Sequence, residues 1–294
     1  MRIKFWGTRG SVPTPGPLTV KYGGNTPCVE VQAGKTRIVI DAGTGIREMG
    51  RAVARSGDPA PEIHLLISHA HWDHIQGFPF FAPVLNPKAK IRVYGCQGTG
   101  HRLEKVLGMQ MDDDYFPLSF QELAADIRFV EIETNPFTVG ETQVESTFLN
   151  HPGLALGFNV VHEGRKFCYC SDTEPFRDLL LREDASGCSQ IGRYVESLDR
   201  KIVEFATGSD LFVIDGMFTD DEYGKRLGWG HSSMSDALMV GISAGVKRLY
   251  IYHHEPNHSD AFLDDMVERA RASVRDKGSS MEVYCAKEGE EVEI

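Results

Sequence analysis

Short apolar runs bounded by polar turn residues recur along most of the chain, a pattern typical of β-strands. Cys28 to Gln32 and Thr36 to Ile40 flank Ala33-Gly34-Lys35, which predicts a β-hairpin with glycine where the turn needs a positive φ. The remaining runs predict strands at Ile3 to Phe5, Ile63 to Ile67, Ile91 to Tyr94, Arg128 to Glu131, Gln143 to Leu149, Gly157 to His162, Lys166 to Cys170, Leu211 to Ile214 and Arg248 to Tyr252.

Three segments have the periodicity of helices instead. They are Ile46 to Ala54, a segment that begins near Ser233, and Asp260 to Ala272, which places Leu263 and Val267 on one face. Because two strand-rich halves have helices between and after them, we expect two sheets packed together with helices outside. No linker, repeat or low-complexity tract divides the chain, so we predict a single domain over residues 1–294 with an insertion at about 104–127.

Charge and composition narrow the function. The chain has 31 Lys and Arg against 42 Asp and Glu, a net charge of 31 − 42 = −11, so we expect no large nucleic acid partner. No apolar stretch is long enough for a membrane helix, and the start lacks a signal-peptide core, which predicts a cytoplasmic protein without a membrane partner. The six cysteines are scattered and form no C-x-x-C pair, as expected of reduced thiols.

The most informative string is SHAHWDH, directly after a predicted apolar strand. His69 and His71 are two residues apart on an extended segment and point the same way, while the following turn brings Asp73 and His74 close by. Four metal-binding side chains within six residues predict a two-ion site. The alternative, a surface loop that happens to be rich in histidine, does not explain why the string lies at the end of a strand.

Four ligands do not complete two metal shells, and further His and Asp residues follow other predicted strands. His151, Asp172 and His253 each come directly after one. Any one of them could be an ordinary polar strand end, but together they indicate ligands. His254 stands beside His253, and neighbours on a strand face opposite ways, so only one of the two can reach a metal. Imidazole and carboxylate ligands without thiolate suit Zn²⁺, Mn²⁺ or Fe²⁺.

These motifs resemble those of the metallo-β-lactamase superfamily. SHAHWDH resembles its H-x-H-x-D-H signature, and VIDAGTG resembles the Asp-x-Gly turn that precedes it, with Asp41 in a supporting role. The resemblance implies an α/β (α+β) fold, the four-layer αββα sandwich of two mixed sheets packed face to face. It implies two divalent ions, expected to be Zn²⁺, and favours His253 over His254. By position, the first ion would be held by His69, His71 and His151, the second by Asp73, His74 and His253, and both by Asp172.

A second resemblance concerns catalysis. GWGHSSMSDA at 228–237, followed by IYHHEP, resembles the H-S-T motif and the terminal ligand motif of ribonuclease Z and its phosphodiesterase relatives. It implies that His231 protonates or stabilises the leaving group and that Asp215 orients it, with Asp73 as a further catalytic residue. The alternative places His231 at a helix N-terminus beside the cap Ser232 or Ser233, with Asp236 completing a Ser-x-x-Asp box.

One missing insertion and three further motifs narrow the class of substrate. Ribonuclease Z grips tRNA with a long basic, Gly/Pro-rich arm, and this sequence has no equivalent insertion. GTRGSVP, GGNTPCVEV and YFP resemble a bacterial branch that includes degraders of 3′,5′-cyclic nucleotides. The resemblance implies a homodimeric, metal-dependent phosphodiesterase for a small or cyclic nucleotide. Ribonuclease Z-like RNA 3′ processing, thioester or lactam hydrolysis, and a non-catalytic nucleotide-binding protein stay open as alternatives.

Two segments are candidates for substrate contacts. In Gly-Thr-Arg-Gly-Ser, Arg9 and the backbone at Ser11 could bind a phosphate, although such a turn is often only a turn. In the insertion, Tyr115 and Phe116 could stack on a base or form a dimer contact.

Overall fold

The structure is a computed structural model that describes residues 1–96, 103–177 and 189–294, without the side chains of 189–192. Its strands are β1 (Arg2–Gly7), β2 (Cys28–Ala33), β3 (Thr36–Ile40), β4 (Glu62–Leu66), β5 (Lys90–Gly95), β6 (Asp126–Glu131), β7 (Phe137–Val139), β8 (Thr142–Leu149), β9 (Ala155–His162), β10 (Arg165–Cys170), β11 (Leu211–Asp215), β12 (Arg248–Tyr252), β13 (Glu282–Cys285) and β14 (Glu291–Glu293).

The α-helices are α1 (Ile46–Arg55), α2 (Trp72–Ile75), α3 (Leu103–Met109), α4 (Ser189–Ala206), α5 (Asp220–Tyr223), α6 (Met234–Ser243) and α7 (Asp260–Asp276). Short 3₁₀ turns lie at Phe78–Phe80, Ala82–Leu85 and Phe120–Glu122. None of the described helices is long and apolar enough to cross a membrane.

The strands form two mixed sheets with matching topology. One has the order β14-β1-β2-β3-β4-β5-β6 and the other the order β13-β12-β11-β10-β9-β8-β7. In the first sheet the pairs from β14 to β3 are antiparallel and those from β3 to β6 are parallel. In the second sheet the pairs from β7 to β10 are antiparallel and those from β10 to β13 are parallel.

Three apolar clusters hold four layers together. Phe5 and Val31 of the first sheet pack with Phe158 and Tyr169 of the second in the central cluster. A second cluster lies between the first sheet and α1, and a third lies between the second sheet and helices α4, α6 and α7. Burial alternates along single strands, as in β8, because side chains on a strand point alternately to the two faces. The predicted αββα sandwich is confirmed.

Most predicted elements are present, and the missed strands are short, but four described helices were missed as well, including the 18-residue α4. The hairpin closes at Gly34 with a φ of +55°, and the strand predicted at Arg248 to Tyr252 has those bounds. The pattern did not predict β7, β13 or β14, which contain three or four residues each. Such strands have too few positions to establish an alternation, and β14 exists because it pairs with the edge of β1.

Candidate metal centre

Seven His and Asp side chains meet where strands of both sheets end. The segment that runs from the end of β4 through the short helix α2 supplies four of them, and the ends of β8, β10 and β12 supply one each. Their ligand atoms form two groups, each with all atoms within 4.8 Å of one another. The first group is His69, His71 and His151, and the second group is Asp73, His74, Asp172 and His253.

The first group consists of imidazoles that face one another. His151 Nε2 lies 2.9 Å from His71 Nδ1. His69 Nε2 is buried, has no hydrogen-bond partner in the described part of the chain, and lies 3.6 Å from Asp172 Oδ2. An unpartnered buried nitrogen is costly, and a bound cation would satisfy it. Burial also lowers the pKa of His151 to about 4 and that of His69 well below its usual value, which favours the neutral form that binds metal.

The second group combines two imidazoles with two carboxylates, all buried. His253 Nε2 lies 3.0 Å from Asp73 Oδ2, and His74 Nε2 lies 3.1 Å from Asp172 Oδ1. Two buried carboxylates need compensating positive charge, and a divalent cation supplies it. The donor set therefore fits divalent metal ions.

Asp172 lies between the groups. Its Oδ2 is 3.6 Å from His69 Nε2, 3.8 Å from His151 Nε2 and 3.3 Å from His253 Nε2. One carboxylate thus faces imidazoles of both groups, which is the arrangement that a shared ligand requires.

Three of these histidines use their second ring nitrogen, Nδ1, for a hydrogen bond to the protein, which fixes the orientation of each ring. We call this atom the outer nitrogen. The bonds pair His69 Nδ1 with Ser68 Oγ at 3.1 Å, His74 Nδ1 with Asp41 Oδ2 at 2.8 Å, and His151 Nδ1 with the Gly230 carbonyl at 2.8 Å. Asp41 is fully buried and also accepts from the Ser68 amide and hydroxyl and from the Tyr169 hydroxyl. It therefore joins both sheets to the site.

Backbone strain concentrates at this site. Five described non-glycine residues have positive φ, and four of them are Ser11 (+62°), Asp41 (+65°), Asp172 (+52°) and His253 (+59°). Each such residue costs on the order of 1–3 kcal/mol, which the surrounding structure has to offset. The fold thus holds these side chains in set directions.

His231 and Asp215 form a pair beside both groups. His231 Nδ1 lies 2.7 Å from Asp215 Oδ2, and its ring lies 4.9 Å from that of His253 and 5.2 Å from that of His151. Burial opposes a charge on His231, but the carboxylates of Asp215, Asp172 and Asp73 together outweigh burial and raise the pKa of His231 to about 9. The helix cap is present as well, but it is Ser233 that accepts from the Asp236 amide.

The neighbouring histidines 253 and 254 point to different partners. His254 Nε2 lies 2.9 Å from the Ala286 carbonyl, and its ring packs against Tyr22. Only His253 belongs to the second group.

The expected phosphate contact of Arg9 is wrong. Its guanidinium is fully buried and donates to the backbone carbonyls of Gly23 (2.8 Å), Glu255 (3.1 Å) and His258 (2.7 Å), so it is not available to a substrate. Ser11 reaches the site in another way, because its backbone N–H donates to Asp73 Oδ2 at 2.8 Å.

The other two expected substrate contacts stay predictions. The Phe116 ring packs edge to face on Phe80, with centroids 5.4 Å apart. Tyr115 is 81% exposed. Base stacking and a dimer contact are both compatible with an exposed aromatic side chain.

Two exposed tryptophans that the sequence analysis did not single out are sequence neighbours of site residues. Trp72 is 75% exposed between ligand-group residues His71 and Asp73, and Trp229 is 61% exposed next to Gly230. Glu174 holds the Trp229 loop by accepting from the amides of Gly228 (2.6 Å) and Gly230 (3.1 Å). The signal was available, because each tryptophan is a large apolar residue inside a polar motif.

Comparisons with known proteins agree with this geometry. Residues 36–191 match the beta-lactamase superfamily domain. The chain is 26% identical to the ribonuclease Z of Haloferax volcanii, with 100% of this chain and 95% of that protein covered. Its fold is similar to the metallo-beta-lactamase fold protein YhfI from Bacillus subtilis (TM-score 0.67, 17% identity, 99% of each chain) and to human tRNase Z, short form (TM-score 0.61, 19% identity, 100% of this chain and 99% of that one). The chain therefore belongs to the metallo-β-lactamase superfamily, whose members are metal-dependent hydrolases, and is similar to its ribonuclease Z branch.

Proposed function

We propose that the protein is a binuclear metal-dependent phosphodiesterase that hydrolyses a small or 3′,5′-cyclic nucleotide. The observation that carries the proposal is the position of the His231–Asp215 pair, which adjoins both ligand groups. When bound in such sites, two divalent ions, here expected to be Zn²⁺ with Mn²⁺ or Fe²⁺ as alternatives, acidify a water molecule and polarise the phosphoryl group.

His231 meets a demand that phosphodiester cleavage creates. The departing ribose oxygen is strongly basic, so it needs a proton as its bond to phosphorus breaks. Asp215 holds Nδ1 of His231, which leaves Nε2 as the ring atom that can hold the proton for the leaving group. Asp215 is itself fixed by the backbone amides of Thr173 (3.3 Å), Met217 (3.0 Å) and Ser232 (3.3 Å). The imidazole is thus preorganised for proton transfer.

Two features support a nucleotide of small size. The net charge of −11 disfavours an extended grip on a polyanion. Trp72 stands between His71 and Asp73 in the sequence and Trp229 precedes Gly230, and both are exposed, so a base could stack on either ring at about 1–3 kcal/mol. Trp72→Ala and Trp229→Ala are therefore expected to raise KM for a nucleotide more than KM for bis(p-nitrophenyl) phosphate.

The central test is His231→Ala, assayed on 3′,5′-cyclic AMP. We expect kcat to fall ~10²–10⁴-fold, the usual contribution of a proton donor, with metal content unchanged. The loss should be smaller on bis(p-nitrophenyl) phosphate, whose leaving group needs no proton. The control is His162→Ala, because His162 bonds to the Glu141 carbonyl at the far end of β9 and should leave both activities at the wild-type level.

Two results would contradict this role. Equal losses on both substrates would mean that His231 positions the phosphate and donates no proton. No loss on either substrate would favour thioester or lactam hydrolysis, so a thioester and a lactam belong in the same panel.

Ribonuclease Z-like RNA 3′ processing is the second candidate, favoured by the 26% identity to the ribonuclease Z of Haloferax volcanii. Cleavage of a tRNA precursor without turnover of cyclic nucleotides would replace the first proposal with this one. Absence of turnover on every substrate, with nucleotide binding retained, would identify a non-catalytic binding protein.

We also propose a homodimer. Met109 and Tyr115 are 60% and 81% exposed, and apolar surface of this kind is typical of interfaces. Light scattering should report about twice 32.7 kDa. A monomer at micromolar concentration would remove the interface role of these residues.

A further inference from the structure

We propose that Gly10 and Ser11 are positioning residues for the second ligand group, and that Arg9 anchors them there. The three residues belong to the N-terminal loop, defined here as residues 8–12, which overlaps the Gly7 to Ser11 turn considered above as a candidate phosphate contact. The inference rests on the two-ion site of the proposed function, and it concerns how Asp73 and His253 of that site are held.

The backbone amides of the loop are all engaged within the protein. The N–H groups of Thr8 and Arg9 donate to the Asn25 carbonyl at 2.9 Å each, and that of Gly10 donates to the His254 carbonyl at 2.9 Å. The Ser11 N–H donates to Asp73 Oδ2 at 2.8 Å. Because backbone donors are used once, the loop has no set of amides to offer a phosphate. Instead, the loop packs against the ligands of the second group.

Gly10 lies directly against the imidazole of His253. A Cβ atom at Gly10 would lie 2.2 Å from His253 Nδ1 and 2.4 Å from its Cε1, closer than any real contact. His253 Nδ1 is buried and has no hydrogen-bond partner among the described residues. The outer nitrogens of His69, His74 and His151 all have one. The ring of His253 is thus oriented by packing on Gly10, where the other three are oriented by hydrogen bonds.

Ser11 acts on the other ligand of the same group. Its φ of +62° turns its N–H toward Asp73 Oδ2, the oxygen that lies 3.0 Å from His253 Nε2. A backbone donor to one carboxylate oxygen fixes the orientation of the whole group. Gly10 and Ser11 therefore constrain two ligands that come from distant parts of the sequence.

Arg9 ties the loop to the segment that carries His253. Its buried guanidinium bonds the carbonyls of Glu255 and His258, just after His253, and that of Gly23. The His254 amide donates to the Thr8 carbonyl at 3.0 Å. Loop and histidine segment are thus one hydrogen-bonded unit, so a displacement of one moves the other.

The test is Gly10→Ala, with Gly16→Ala as the matched control because a Cβ at Gly16 has nothing within 4 Å. Metal-free protein is titrated with Zn²⁺ by calorimetry, and bound zinc is counted by elemental analysis. We expect Gly10→Ala to bind the first ion normally and the second about 10–100-fold more weakly, the usual effect of losing support around a ligand. Excess Zn²⁺ should restore much of its activity, and Gly16→Ala should match the wild type.

Arg9→Lys provides a second measurement if Gly10→Ala does not fold, as judged by melting of the metal-free protein. Lysine keeps the charge but lacks the planar fork that reaches three carbonyls, so it should also weaken the second ion selectively. The inference is overturned if the folded variants bind both ions with wild-type affinity, or if both ions weaken equally. A wild-type protein that binds one ion or none contradicts the proposed two-ion site itself, which separates the two failures.

Discussion

The two ligand groups differ in ligand type, in burial and in backbone conformation. The first contains only imidazoles, one of them on exposed His71, and two of its rings are fixed by hydrogen bonds to Ser68 and Gly230. The second is buried, contains two carboxylates, and includes Asp172 and His253 in strained backbone conformations. Buried carboxylates repel each other without a cation. The second group is therefore the more dependent on its ion, which offsets the charge of its two buried carboxylates.

Removal of the shared carboxylate should have the largest effect. Asp172→Ala takes away a carboxylate that faces imidazoles of both groups, so we expect less than one ion per chain by elemental analysis. Activity should fall beyond the ~10²–10⁴-fold range of a single proton donor. Retention of two ions would show that the groups do not share this ligand.

Single histidine replacements should separate the groups. His253→Ala should leave one ion, in the first group, and His71→Ala should leave one ion, in the second, since each removes an imidazole that belongs to one group only. Both should lower activity strongly. A wild-type stoichiometry of one, combined with a harmless His253→Ala, would contradict the two-ion site.

Asp41→Asn should weaken binding of the second ion more than binding of the first, because Asp41 bonds His74 directly and reaches His69 only through Ser68. The asparagine amide has the same size as the Asp41 carboxylate but no negative charge. The carboxylate takes part in four hydrogen bonds, one of them to His74. We expect about 10–100-fold lower affinity for that ion in a zinc titration. Asp210→Asn is the control, because buried Asp210 bonds Lys166 and Lys247 away from the ligand groups. If Asp41→Asn and Asp210→Asn bind the second ion with equal affinity, Asp41 does not support this group.

Chelation removes both ions and should abolish activity, whereas its effect on stability should be the smallest of the effects predicted here. An ion that binds only the folded state adds about 2.7 kcal/mol when its free concentration is 100-fold above its Kd. Metal-free protein should therefore melt at a lower temperature, and hydrogen exchange should rise first around Asp73, Asp172 and His253. Faster exchange around His71 alone would mean that the first group depends more on its ion than the second group does.

Much of the fold followed from the sequence because its signals are local. The turn at Gly34 and the strand at Arg248–Tyr252 depend on residues a few positions apart. The strand has the predicted bounds, whereas the turn is one residue shorter than predicted because Ala33 pairs with Thr36. Short strands such as β14 were missed because their existence depends on a partner edge, here that of β1.

In the site, too, local arrangements followed from the sequence and long-range contacts did not. The sequence by itself determined that His69, His71, Asp73 and His74 come together, since strand and turn geometry operates within six residues. Only the tertiary structure decided the contacts between distant segments. Arg9 and His258 are 249 residues apart, and their hydrogen bond turned an expected phosphate ligand into an internal anchor. Likewise, His253 faces the second group while His254 faces Ala286, because the packing of two sheets sets which side of the strand end meets the other ligands.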